Sequence, residues 1–136
     1  MNVIIPDGYE PFVEDSGYIG HNGPYYVKYM NNGICKYGFA TNEHHANPNN
    51  VIHGAALTGF ADTALGHTIV KESGRYCATI SLTTEFISAA AVGSWVEASV
   101  RIKRMTNSLV FVSADVYSED NILLTATGVF RLFNAS

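Results

Sequence analysis

One carboxylate stands out by its setting. Between Gly54 and Val70, Asp62 is the only formally charged side chain and His67 the only other titratable group. Leu57, Ala61, Ala64, Leu65, Thr68 and Ile69 recur at helical spacing. The pattern predicts a helix from about Gly54 to Lys71, apolar nearly all round, of the kind that belongs inside a fold. Burying an unpaired carboxylate in such a helix costs several kcal/mol or forces its protonation. Asp62 therefore either reaches a neighbouring donor or serves as a catalytic carboxylate in a shared cleft. A polar loop, Asn47-Pro48-Asn49-Asn50, leads into this helix through Val51-Ile52-His53-Gly54.

Other reactive side chains fit structural roles better. His44 and His45 with His53 suggest a metal cluster, but adjacent residues on an extended chain point to opposite faces, and no Cys or acid completes a tetrahedral set. No metal is expected. Cys35 and Cys77 sit in strand-like context, where a buried inert thiol is the norm. His53, at a helix entrance, is expected to hydrogen-bond backbone and fix the loop rather than move protons.

Positioning these residues requires a sheet and a helix. Pro24 to Met30 and Ile34 to Asn42 read as strands joined by the hairpin signal Asn31-Asn32-Gly33, and Gly74 closes the helix region. Cys77 to Ile87 is a strand candidate. From Trp95 to Lys103, Val96, Ala98, Val100 and Ile102 alternate with Glu97, Ser99, Arg101 and Lys103. Leu109 to Tyr117 repeats the alternation, and Ile122 to Phe133 forms the last strand, with Gly128 marking a bulge or a close approach. The lead-in, residues 1–22, carries Pro6, Gly8, Pro11 and the acidic pair Glu14-Asp15, and is expected to be loose or briefly helical. The order predicts an α+β fold in which a curved antiparallel sheet wraps one long helix.

At 136 residues and 47% hydrophobic, the chain is expected to form a single domain, 1–136, with a real core. Net charge is −4, which argues against nucleic acid as a partner. No apolar run approaches membrane-spanning length, and the N-terminal stretch lacks the basic region of a secretory signal. Two unpaired-looking cysteines fit a cytoplasmic protein.

His53-Gly54, an acid nine residues after the His, and a small-residue helix following an Asn-Pro loop together resemble the hot-dog-fold acyl-CoA thioesterases, in the phenylacetate-pathway (PaaI-like) branch. The resemblance extends through Gly23-Pro24-Tyr25-Tyr26, Tyr37-Gly38-Phe39, Thr79-Ile80-Ser81-Leu82 and Thr125-Ala126-Thr127-Gly128-Val129-Phe130. It spans roughly Gly23 to Phe133 and rests on the order and spacing of the motifs. One departure is Ala55, where the family usually has a second Gly after His-Gly. Ala keeps the helix start and leaves slightly less room for a ligand.

The resemblance implies hydrolysis of an acyl-CoA thioester to free acid and coenzyme A, with no separate cofactor. It implies that Asp62 is general base or nucleophile, that the N–H of Gly54 polarises the thioester oxygen at the helix start, that Asn47 assists there, and that Thr79 orients the water. His53 and Ala55 would border the substrate. It also implies a homodimer or homotetramer with active sites between subunits. Arg101, Lys103 and Arg104 cluster at one strand end, either as a solvated edge or as a patch for the coenzyme A phosphates. Two other functions compete. A hot-dog dehydratase or hydratase would need a catalytic His, and the His-Phe-Pro type of entry is missing. A non-catalytic acyl-CoA binding module would have no use for an acid beside an anionic ligand.

Overall fold

The computed structural model describes residues 3–12 and 16–134. Its elements are strand β1 (Glu10–Pro11), helix α1 (Gly17–Asn22), strands β2 (Tyr25–Tyr29) and β3 (Cys35–Ala40), a 3-10 turn (Glu43–His45), helix α2 (Gly54–Ser73), and strands β4 (Cys77–Phe86), β5 (Trp95–Met105), β6 (Leu109–Ser118) and β7 (Asn121–Leu132). The strands form one antiparallel sheet in the order β1-β2-β3-β5-β6-β7-β4. The expected hot-dog architecture, a sheet wrapped around one long helix, is the one observed.

Local chemistry explains most boundaries. Gly33 turns the β2–β3 hairpin at φ +82, and the N–H of Met30 closes it by donating to the Ile34 carbonyl at 2.9 Å. Helix α2 ends where Gly74 adopts φ 69 and donates its N–H to the Val70 carbonyl, a left-handed cap that costs other residues strain. Along β5 and β6, Val96, Ala98, Val110, Val112, Ala114 and Val116 are buried, as their alternation requires. Each large side chain removed from water contributes about 1.5–3 kcal/mol.

One expectation changes and two open ones are decided. Helix α2 is buried on one face only, by Leu57, Phe60, Ala61, Ala64, Leu65 and Ile69, so Asp62 is half-buried rather than enclosed. Gly128 marks a close approach: a Cβ there would lie 3.2 Å from the Phe130 ring and 3.4 Å from the Ser81 carbonyl. The irregularity itself falls on the partner strand, between Thr79 and Ser81. The described part of the lead-in is briefly helical at α1, one of the two readings expected, and adds β1 paired to β2, with Phe12 and Ile19 packed on the core; Glu14-Asp15 lies outside the described residues. Among those residues, no helix is long and apolar enough to cross a membrane.

Strand β4 ends the sheet and leaves one edge unpaired. Ile80, Phe86 and Ile87 are 57%, 59% and 56% exposed there. An apolar open edge invites pairing with another strand.

Candidate active site

Asp62 opens onto a cleft of about 580 Å³ between α2 and β4, walled by Phe12, Ile19, Val70 and Phe130, with His67, Cys77 and Thr79 also on its lining. The Thr79 hydroxyl donates to Asp62 Oδ1 at 2.7 Å. Strand alternation turns Cys77 and Thr79 toward the helix, and the register slip immediately after Thr79 ends that alternation. The sequence placed Asp62 either against a donor or in a cleft, and it is in both. Its second oxygen and the lone pairs of the Thr79 hydroxyl can still hold a water.

Cys77 lies in the same cleft but stays a thiol: burial, and then the Asp62 charge, raise its pKa, and it donates weakly to the Gly66 carbonyl at 3.8 Å. Burial raises Cys35 likewise.

The start of α2 is a separate place. The carbonyl of His53 accepts the N–H groups of Ala56 and Leu57 at 2.9 and 3.4 Å, so those of Gly54 and Ala55 precede the first intrahelical bond and are the orphan donors of the helix. His53 is exposed and makes no side-chain cap, while its own N–H donates to the His45 carbonyl. Phe86 packs so near that a Cβ on Gly54 would lie 2.8 Å from its ring. Asn47 holds the entering loop: its Oδ1 accepts the N–H groups of Asn49 and Val51 at 2.9 and 3.2 Å. Asn47 thus shapes the turn through its Oδ1, and its amide N–H donors remain for a ligand.

The histidine cluster separates. His45 is buried, with Nδ1 accepting from the Asn42 N–H and Nε2 donating to the Asn22 carbonyl. Among the described residues, no three side chains are grouped to hold a metal.

Arg101, Lys103 and Arg104 are exposed at the end of β5. A bulge at Lys103, where pairing steps from Ile102–Val112 to Arg104–Phe111, ends the clean alternation. Three strand spacings, about 14 Å, separate β5 from β4 and Thr79. The cluster does not border the Asp62 cleft within one chain; Arg101 instead lines a smaller groove with Cys35, Thr68, Lys71 and Glu72.

His67, Phe12 and Ile19 were given no role in the sequence reading. His67 could have been found, because Thr63, Gly66, His67 and Val70 continue the helical stripe beside Asp62. Its Nδ1 lies 2.8 Å from the Tyr37 hydroxyl, which lies 2.7 Å from Thr68 Oγ1. Phe12 and Ile19 lay beyond inference, since only folding of the lead-in brings them there.

The model of the Thioesterase superfamily matches residues 49–125, more than half of the chain. The candidate esterase PA0474 of Pseudomonas aeruginosa is 28% identical over 134 residues, 97% of this chain and 98% of that one. Among solved structures, PA5202 of Pseudomonas aeruginosa superposes with a TM-score of 0.79 at 22% identity, covering 87% of this chain and 94% of its own. The E. coli PaaI protein from the phenylacetic acid degradation operon gives 0.79 at 12% identity, covering 90% and 88%. BH2602 of Bacillus halodurans, solved with CoA, gives 0.72 at 19% identity, covering 81% and 74%. The superpositions establish a shared fold.

Proposed function

The chain belongs to the thioesterase superfamily, and we propose that it hydrolyses an acyl-CoA thioester to the free acid and coenzyme A. The observation that carries this reading is the Asp62–Thr79 pair facing an open, largely apolar cleft. A water held by Asp62 and the Thr79 hydroxyl gives its proton to Asp62 as its oxygen attacks the thioester carbon. Direct attack by the carboxylate is the alternative use of the same group. Negative charge then develops on the carbonyl oxygen, where orphan helix N–H groups stabilise it. Collapse breaks the C–S bond, and the thiolate leaves without needing a strong acid.

Gly54 and Asp62 are eight residues apart on one helix, about 12 Å along its axis. One thioester carbon cannot sit against both. We infer a site shared by two copies: Asp62 and Thr79 from one chain, Gly54 and Asn47 of the partner subunit from the other. The unpaired apolar edge of β4 supplies a surface on which such copies can join. CoA bound to a structural relative supports a CoA thioester as the substrate class.

Purified protein incubated with a panel of acyl-CoAs should release free thiol. Hydrated product without thiol would instead mark a hydratase, and ligand-induced stabilisation with neither product would mark a binding module.

A further inference from the structure

One buried side chain that the chemistry above does not use holds the loop delivering Gly54. His45 is 3% exposed and lies in the 3-10 turn before that loop. Its carbonyl accepts at 2.7 Å the N–H of His53, the residue directly before Gly54. Ala46 and Ile52 then pair across the loop, and the Asn47 N–H donates to the Val51 carbonyl at 2.8 Å. The loop is thus a closed ladder with His45 and His53 at its base. Wherever that base rests, the orphan N–H groups of Gly54 and Ala55 follow.

The imidazole ties this base to two other parts of the chain. Nδ1 accepts the Asn42 N–H at 2.9 Å, and Nε2 donates at 2.6 Å to the Asn22 carbonyl, where α1 ends. Phe39 of β3 meets the ring edge-on, centres 4.5 Å apart. Asn42 Oδ1 in turn accepts the His44 N–H, so the turn is a capping box with a ring in place of the usual Glu or Gln. Only a neutral ring fits. An imidazolium carries hydrogen on both nitrogens, and its Nδ1 would meet the Asn42 N–H donor to donor. Of the titratable groups around it, His44 stacks on the ring at 3.8 Å, Glu43 shares its turn, and His21 adjoins Asn22 on α1. Burial lowers the His45 pKa, opposed by the Asn22 bond and aided by the His44 charge.

We propose that His45 is a positioning residue for the Gly54 donors, and that its neutral imidazole is the form that holds them in place. The proposal rests on the thioesterase reading above and adds to it a residue that touches no substrate. The donors matter most as negative charge develops on the carbonyl oxygen, so a displaced base costs kcat rather than KM. Protonation of the ring opens the clamp, which makes turnover sensitive to mild acid.

The test follows thiol release from the acyl-CoA turned over fastest, starting at about pH 8, where histidine is neutral. His45→Phe keeps a ring against Phe39 and loses both nitrogens. Its kcat should fall about ten- to a hundredfold with KM within about threefold of the parent. His45→Gln keeps an acceptor for Asn42 and amide donors, and should recover most of that loss. Because Gln takes up no proton, the parent kcat should fall more steeply than that of His45→Gln from about pH 6.5 to 5. A folded His45→Phe with the parent kcat, or parallel pH profiles for parent and His45→Gln, overturns the proposal and leaves the thioesterase reading intact. If His45→Phe does not fold, the pH comparison decides alone. If the parent releases no thiol from any acyl-CoA, the thioesterase reading fails instead, and hydrogen exchange at the His53 amide decides the role of His45. Exchange about tenfold faster in His45→Phe than in His45→Gln at one pH supports the clamp, and equal rates overturn it.

Discussion

The two ends of the chemistry on α2 are built differently. At the entrance, backbone does the presenting: Gly54 and Ala55 offer N–H groups because the helix has begun, and Asn47, bonded to Asn49 and Val51, holds the loop that brings them there. In the cleft, side chains do the presenting: Asp62, Thr79 and His67 are aimed by helix stripe and strand alternation. Substitution damages the two regions in different ways. A backbone donor survives any change that preserves the loop, whereas a carboxylate is lost with its side chain. The gap of about 12 Å between them is the ground for our proposal that each chain contributes two half-sites.

The sharpest break is Asp62→Asn. It should leave melting temperature and acyl-CoA binding nearly intact and lower kcat by about a hundredfold or more. Near-normal turnover in a folded variant would remove Asp62 from the mechanism.

At the entrance, two changes at Asn47 separate loop from ligand. Asn47→Asp keeps the Oδ1 that accepts from Asn49 and Val51 but loses the amide donors, so kcat should fall about ten- to a thousandfold with little loss of stability. Asn47→Ala should lose kcat similarly and also destabilise by about 1 kcal/mol, seen as a lower melting temperature. If Asn47→Asp keeps full activity, Asn47 only shapes the loop.

Combining the regions tests the shared site. Mixed and reassociated Asp62→Asn and Asn47→Asp subunits should regain part of the activity neither has alone, because some interfaces then carry both intact halves. A fully active monomer in sedimentation at assay concentration would contradict the two-copy arrangement.

Arg101→Ala or Lys103→Ala should act on neither half-site. The expected effect is a several-fold rise in KM for acyl-CoA at low salt with kcat unchanged, and no change for short thioesters lacking phosphates. An unchanged KM would leave the cluster as a solvated strand end.

The smallest expected effect is on stability and concerns His45, whose two ring nitrogens are both held by backbone. Burial is the main cause that lowers its pKa, opposed by the bond to the Asn22 carbonyl. The folded value therefore lies below the unfolded value of about 6.5. The contribution to stability is present above that pH and is lost as pH falls toward the folded value. Denaturant titrations should show a decline in stability below about pH 6.5 that His45→Gln partly flattens. An identical slope in the variant would assign the decline to other groups.

Helix α2, its Gly74 cap, the β2–β3 hairpin and the alternation of β5 and β6 were legible in sequence, because each depends on contacts within a few residues or on a strict period. Asp62 was legible for a related reason: a lone charge in an apolar stripe marks itself. The Thr79 partnership was not readable from local pattern, since it depends on β4 returning antiparallel to β7 and laying its inward face beside α2. The lead-in was not readable either. Its short β1 forms only because β2 supplies a partner strand, and Phe12 reaches the cleft only through that pairing.

Sequence alone therefore determined the main elements from β2 onward, the family resemblance and the position of the lone acid in α2, all properties carried by residue type and spacing. Tertiary structure decided what those residues face. It opened Asp62 to a cleft instead of burying it, used the two nitrogens of His45 on backbone, and set one nitrogen of His67 against the Tyr37 hydroxyl. The two histidines are the same residue type, though His45 follows a capping Asn42 whose N–H its ring accepts. Their difference lies in the partners the fold supplies: His45 takes one locally, from Asn42, and one from distant Asn22, whereas His67 meets Tyr37, thirty residues away.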